Sequence, residues 1–472
     1  MGLVDLSASE LSVLIARRKV APSDVMAAFL HRVGEVNGAV NAIVSLRDGD
    51  DLMREAKILD DVAPVGWLHG VPFAIKDLVD VAGVRTTHGS PLFADHVPGM
   101  DDLVAARIRA AGAVIAGKTN VPEWGQGSHS FNPVFGVTRN PYDLSKSAGG
   151  SSGGAAAALA SRMVWVADGS DMMGSLRNPA AFCNVYGFRP SWGLVPMDAG
   201  GEAFLGTLST EGPMGRTVED VTGLLGVLAG VNPAVPFGRG GFGGLEQGEV
   251  RGLRIGWLGD WGGAYATEPG ILDVCAAGLA VFEAMGAVVD PVAPPFAAGA
   301  LWEAWVTLRA MLNAGRMRAL YEDAGKRALL KPESVWEIEQ GLGLSAAAVH
   351  AASVVRSAWY AAAADLFARY DVLAMPSAQV WPFPVEWRWP QQIGDRVMDT
   401  YHRWMEVVVP VSLIGLPALS VPVGFGTGFG TGLPMGMQVI GPVGSDARVL
   451  GIGQAYHRAT DWPGRVAPRG WA

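Results

Sequence analysis

Two serines in this chain lie in beds of glycine. Ser151 sits within Ser147-Ala-Gly-Gly-Ser-Ser-Gly-Gly154, and Ser175 within Asp168-Gly-Ser-Asp-Met-Met-Gly-Ser-Leu-Arg177. Glycines let backbone N–H groups come close to a reacting atom. Upstream, Lys76 ends the apolar run Val71-Pro-Phe-Ala-Ile75. Burial there would lower the proton affinity of its amine enough for it to serve as a base. A lysine and two serines, with no obligatory histidine, point to acyl transfer at an amide or ester.

Other readings of the same residues compete. Lys76 read alone suits an ion pair with Asp77 or Asp80 slightly better than catalysis. Asp171 and Arg177 suit a buried salt bridge that holds the Ser175 loop. Gly149-Gly-Ser151-Ser-Gly153 satisfies GxSxG, which would make Ser151 the nucleophile of an α/β-hydrolase-type esterase with His350, His402 or His457 as base. That leaves the second serine-glycine cluster without a task. Gly112-Ala-Val-Ile-Ala-Gly-Lys-Thr119 matches the phosphate-loop pattern. Its context is wrong, because a helix precedes it and a strand fills it. No HExxH, paired CxxC or acidic calcium loop occurs, so neither a metal nor a cofactor is expected.

Composition narrows the class. Of 472 residues, 50% are hydrophobic and 17% charged, enough for a large core. A net charge of −9 argues against a nucleic-acid surface. Two cysteines, Cys183 and Cys275, exclude a disulfide scaffold and fit a reducing compartment. Met1-Gly-Leu-Val-Asp-Leu-Ser7 lacks the basic and apolar regions of a secretory signal, and no apolar stretch approaches the ~18 residues of a membrane span. A cytoplasmic protein is expected, with no membrane partner.

The elements that must carry these residues alternate. Ser7-x-x-Glu10 is a capping box and Pro22-Ser-Asp24 a second helix start, so residues 7–37 read as two amphipathic helices. Gly70–Lys76 reads as a buried strand, Asp102–Ala111 as a helix and Ala113–Ala116 as a strand. Gly153–Arg162 reads as an Ala-rich helix and Met163–Ala167 as a strand. Residues 236–250 read as loop, 296–370 as mainly helical, and 376–404, dense in Trp and Pro, as irregular. Leu419–Val423 and Met435–Ile440 return to strand, and Asp446–Ala459 closes with a helix. This rhythm predicts an α/β core with a helical insertion.

Taken together, the residues resemble the amidase signature family. The resemblance runs through Gly70–Asp77, Gly117-Lys-Thr-Asn-Val-Pro-Glu123, Phe135–Asp143, Gly149–Gly154 and Gly169–Pro179. It continues through Gly187–Pro190, Gly212–Asp220, Gly415–Pro422 and Gly432–Gln438. It implies one domain over 1–472, built on a large mixed, mostly parallel sheet with helices on both faces. The signature core would span about 60–220 and 405–472, with a mainly helical, substrate-shaping insertion at about 235–400. It implies a Ser-cisSer-Lys triad: Lys76 as base, Ser151 as relay behind a cis bond, and Ser175 as nucleophile. Backbone N–H groups of Met172, Met173, Gly174 and Ser175 would form the oxyanion hole. Asp171, Arg177, Gly150 and Ser152 would support it.

The implied activity is hydrolysis by water of a small-molecule carboxamide, or a related aryl amide, ester or carbamate, without a cofactor. Homodimers are common in such enzymes. A glutaminase subunit of a tRNA-dependent amidotransferase is the alternative within the same family. Gly125, Gln126 and Gly127 are expected to meet substrate, with Trp381 and Trp404 as an apolar lid unless the tryptophans merely pack the insertion. Two departures stand out. Met172-Met173 replaces the usual smaller residues before Gly174, and Asn178 stands where a β-branched residue is common. The expectation is that a methionine narrows the acyl pocket.

Overall fold

The computed structural model describes residues 2–198 and 200–468. The capping box forms as read: Ser7 Oγ accepts the Glu10 N–H at 3.1 Å and the Glu10 carboxylate accepts the Ser7 N–H at 2.8 Å. It opens the helix Ala8–Ala16, and the second helix follows at Pro22–Val40. The remaining readings hold within a few residues, with one shift. The strand expected at Met163–Ala167 runs instead over Val166–Asp171 and leads straight into the Met172-Met173 turn.

A large mixed sheet has eight strands in the order Val288–Pro291, Arg254–Trp257, Val372–Pro376, Pro434–Ile440, Ala418–Phe425, Tyr186–Arg189, Thr210–Gly215 and Val166–Asp171. The first two pairings are parallel and the other five antiparallel, which corrects the expectation of a mostly parallel sheet. A parallel pair needs a crossover of a dozen residues or more, supplied here by the helix Ile271–Ala284 and by the helices between residues 298 and 367. The insertion is mainly helical, and it also supplies three of these strands.

A separate three-stranded sheet has Val114–Thr119 at its centre, antiparallel to Ile43–Val44 and parallel to Pro72–Lys76. Pro72–Lys76 is thus an edge strand of the small sheet, and Val166–Asp171 an edge strand of the large one. The Lys76 N–H closes the gap by donating to the Asp168 carboxylate at 3.1 Å. Behind both edges packs the Ala-rich helix Gly153–Ala160, entirely buried. A Cβ at Gly154 would lie 2.3 Å from Asn120 N, so glycine there permits the close approach. One hydrophobic cluster runs from Ala8 to Tyr456. No helix among the described residues is long and apolar enough to cross a membrane.

Candidate active site

Lys76 is fully buried at the end of its strand. Its Nζ lies 2.8 Å from each of three hydroxyls, those of Ser151, Ser152 and Ser170, and 3.3 Å from the Ser170 carbonyl oxygen. Burial lowers the amine to about 8, although the negative charges of Glu211, Asp168 and Asp171 pull it upward. No ion pair with Asp77 or Asp80 forms. Asp77 accepts from Thr87, and Asp80 faces His88.

Ser151 follows a cis peptide bond from Gly150. The Gly150 N–H donates to Ser128 Oγ at 3.2 Å, and Ser128 Oγ lies 2.7 Å from Asn178 Oδ1. Asn178, the second sequence departure, therefore helps hold the bend that aims Ser151. Ser152, expected only as support, touches Lys76 directly.

Ser175 and Ser151 line one cavity of about 210 Å³. The loop carrying Ser175 is held by Asp171, whose carboxylate accepts from Arg177 at 2.9 and 3.0 Å and from Arg189 at 3.2 Å. Burial alone would raise that carboxyl, but the two guanidinium groups hold it well below the usual range. Asp171 also accepts the Gly174 N–H at 2.8 Å. The Gly174 N–H, one of the four expected oxyanion donors, is thus already bonded within the loop. Among the described residues the N–H groups of the other three, Met172, Met173 and Ser175, have no protein acceptor. Gly174 has φ +78°, so a side chain there would be strained, and its Cβ would meet Val408 at 2.9 Å. Met172 and Met173 avoid left-handed φ, so their side chains cost the turn nothing. Both line the cavity.

Gly125, Gln126 and Gly127 also line the cavity. Trp381 and Trp404 do not, which corrects the lid expectation. Trp381 is buried, donates from Nε1 to the Pro269 carbonyl at 3.1 Å and packs beneath Gly430. Trp404 donates to the Tyr401 carbonyl at 3.0 Å and sits edge-on to Phe383. An indole needs a partner for its N–H when buried, and here both partners belong to the insertion. The tryptophans pack the insertion onto the core.

Sequence reading missed Ser170, Glu211, Arg309, Asn313 and Arg316, all of which line the cavity. Ser170 was legible in principle, two residues beyond Asp168 on the same face of a strand. Arg309 and Asn313 lie one turn apart on the helix Ala298–Glu322 and bind Glu337. Nothing local connects them to the serines. Glu211 is pushed up to about 8 by burial, and its Oε2 has no partner.

The competing motifs dissolve in three dimensions. Gly117-Lys118-Thr119 lies inside a strand, with Lys118 buried and bonded to Thr86 at 3.1 Å, so no phosphate loop exists there. No histidine among the described residues bonds either serine, and none of the described residues form a group able to hold a metal ion.

A buried lysine ringed by serine hydroxyls thus stands at the edge of a mixed sheet flanked by helices. The chain belongs to the amidase family, whose model matches residues 24–450, and amide hydrolysis is the chemistry of that family. It is similar to a glutamyl-tRNA(Gln) amidotransferase subunit of Geobacillus stearothermophilus, with 34% identity over 98% of this chain and 99% of that protein. It is also similar to an acylamidase of Rhodococcus erythropolis, with 32% identity over 97% and 96% of the two chains. In structure it resembles a bacterial aryl acylamidase of the amidase signature enzymes, with a TM-score of 0.89 and 30% identity over 97% of this chain and 96% of that one.

Proposed function

We propose that the protein hydrolyses a small-molecule carboxamide through an acyl-enzyme on Ser175, with Ser151 as proton relay and Lys76 as general base. The carrying observation is the 2.8 Å approach of Lys76 Nζ to Ser151 Oγ at the wall of the cavity that also holds Ser175. A neutral amine has two N–H donors and one lone pair. Ser152 and Ser170 are placed to take the donors, which leaves the lone pair for the Ser151 hydroxyl proton. Ser151 then takes the proton of Ser175, and Ser175 attacks the carbonyl.

The unbonded N–H groups of Met172, Met173 and Ser175 are the donors for the oxyanion, each worth roughly 3–4 kcal/mol in such sites. Ser151 returns a proton to the leaving nitrogen, and water releases the acid. Side-chain proton transfers suffice, so the steps use no cofactor. Both cysteines are free and buried, in keeping with a reducing, cytoplasmic setting.

Met172, Met173, Met197 and Met405, with Leu78 and Trp124, give the cavity an apolar lining that favours an apolar or aryl amide. A second reading, a glutaminase subunit of an amidotransferase, draws on Glu211 and Arg316, a carboxylate and a guanidinium at the same cavity. Glutamine's charged ammonium and carboxylate would need such a pair. A fluorophosphonate probe should label the wild type on Ser175 and leave Ser175→Ala unlabelled. The isolated chain should turn over aryl or aliphatic amides. Ammonia release from glutamine alone, seen only with partner proteins, would replace the first reading by the second.

A further inference from the structure

We infer that the substrate carries an extended apolar arm, and that this arm lies in a second cavity beside the catalytic one. The inference rests on the amide-hydrolase reading above. This second cavity measures about 590 Å³, against about 210 Å³ for the catalytic one. Met172, Met197, Ser209 and Arg316 line both, so the two spaces adjoin across these side chains. A volume of this order accepts a drug-sized group, whereas the catalytic cavity alone takes only a small one.

The wall of the second cavity is apolar over Val195, Leu208, Val235, Pro236, Met311 and Leu312. Its two carboxylates are occupied elsewhere. Asp198 accepts the Leu103 N–H at 2.8 Å, and Glu202 accepts the N–H groups of Phe204, Leu205 and Gly206. Around it, large apolar side chains stand in water: Leu205, which lines the cavity, is 60% exposed and Phe204 66%. Phe237, 58% exposed, packs on Trp192 of the lining. Apolar groups held in solvent around an apolar hollow mark a binding mouth.

Gly315 adds an independent sign. It lies inside the 25-residue helix Ala298–Glu322, where glycine is the poorest choice after proline. A Cβ there would meet nothing within 4 Å, and the residue lines the cavity. The helix tolerates a side chain at 315, but any large one would project into the space the arm needs.

The test uses p-nitroanilides of straight-chain acids from acetyl to decanoyl, and acetamides of the matching straight-chain amines, on wild type, Gly315→Ala and Gly315→Trp. In one of the two series wild-type kcat/KM should rise about fourfold per methylene, the gain of burying each in an apolar site. Gly315→Trp should keep wild-type kcat/KM on the acetyl compound and lose the rise. Gly315→Ala, with unchanged or raised Tm, should keep it. A flat response in both series, with short amides still cleaved, overturns the apolar arm alone. An undiminished rise in Gly315→Trp also overturns it. Failure to cleave any amide, together with no Ser175 labelling, overturns the hydrolase reading and the arm with it.

Discussion

The backbone N–H of Lys76 and the carboxylate of Asp168 join the edge strands of two separate sheets, 3.1 and 3.2 Å apart at the two carboxylate oxygens. Both residues are fully buried. Lys76 is therefore held at the large sheet by its main chain, while its side chain stays free to meet the serines. Asp168→Ala leaves that N–H buried and unpaired. A loss of about 1–3 kcal/mol is expected, read as a lower urea midpoint at unchanged slope. An unchanged midpoint would show that the junction is carried by other contacts.

Activity should depend on pH through Lys76. Burial lowers its amine to about 8, and only the neutral form accepts a proton. Below that value the amine is charged and the rate falls; above it the rate levels off. The kcat/KM profile should therefore rise through the region near pH 8. Lys76→Ala should lose about 10²- to 10⁴-fold and flatten the rise. Full turnover in Lys76→Ala would remove the base from the mechanism.

Glu211 should tune that rise. Its charge is the largest influence holding a proton on Lys76 against burial. Glu211→Gln removes the charge and keeps the shape, so the rise should move to lower pH. A profile identical to wild type would mean that the two groups do not feel each other.

Met173 should set which group fits beside Ser175. The side chain is buried and lines the catalytic cavity. Its backbone lies outside the left-handed region, so glycine is not required there. Met173→Gly should admit bulkier substituents and shift the kcat/KM ratio of a large over a small amide by about tenfold or more. A ratio that stays put would assign Met173 to packing alone, and the thermal midpoint of Met173→Ala reports the packing loss separately.

The contrast between Trp381 and Gly125 shows where sequence reading works. Gly125, Gln126 and Gly127 follow directly on a signature motif, and local chain geometry carries them to the cavity. Trp381 and Trp404 are candidates only by residue type. Type cannot distinguish a lid from a buried strut, because both uses reward a large apolar ring. Arg309 and Arg316 carry no local signal, since both reach the cavity from the helix Ala298–Glu322, far along the chain from the serines.

Local chemistry in the sequence made legible Lys76 and the two glycine-bedded serines as candidates, the glycine turns around them, the helix starts and the strands that bear them. These depend on short-range sterics and hydrogen bonding, which neighbouring residues settle. Tertiary structure decided the pairing sense of the large sheet, the meeting of two sheet edges at Lys76, the bond of the Gly174 N–H to Asp171 and the apolar hollow beside the serines. Each of these depends on distant segments competing for the same buried donors, acceptors and volume, and only the folded chain resolves that competition.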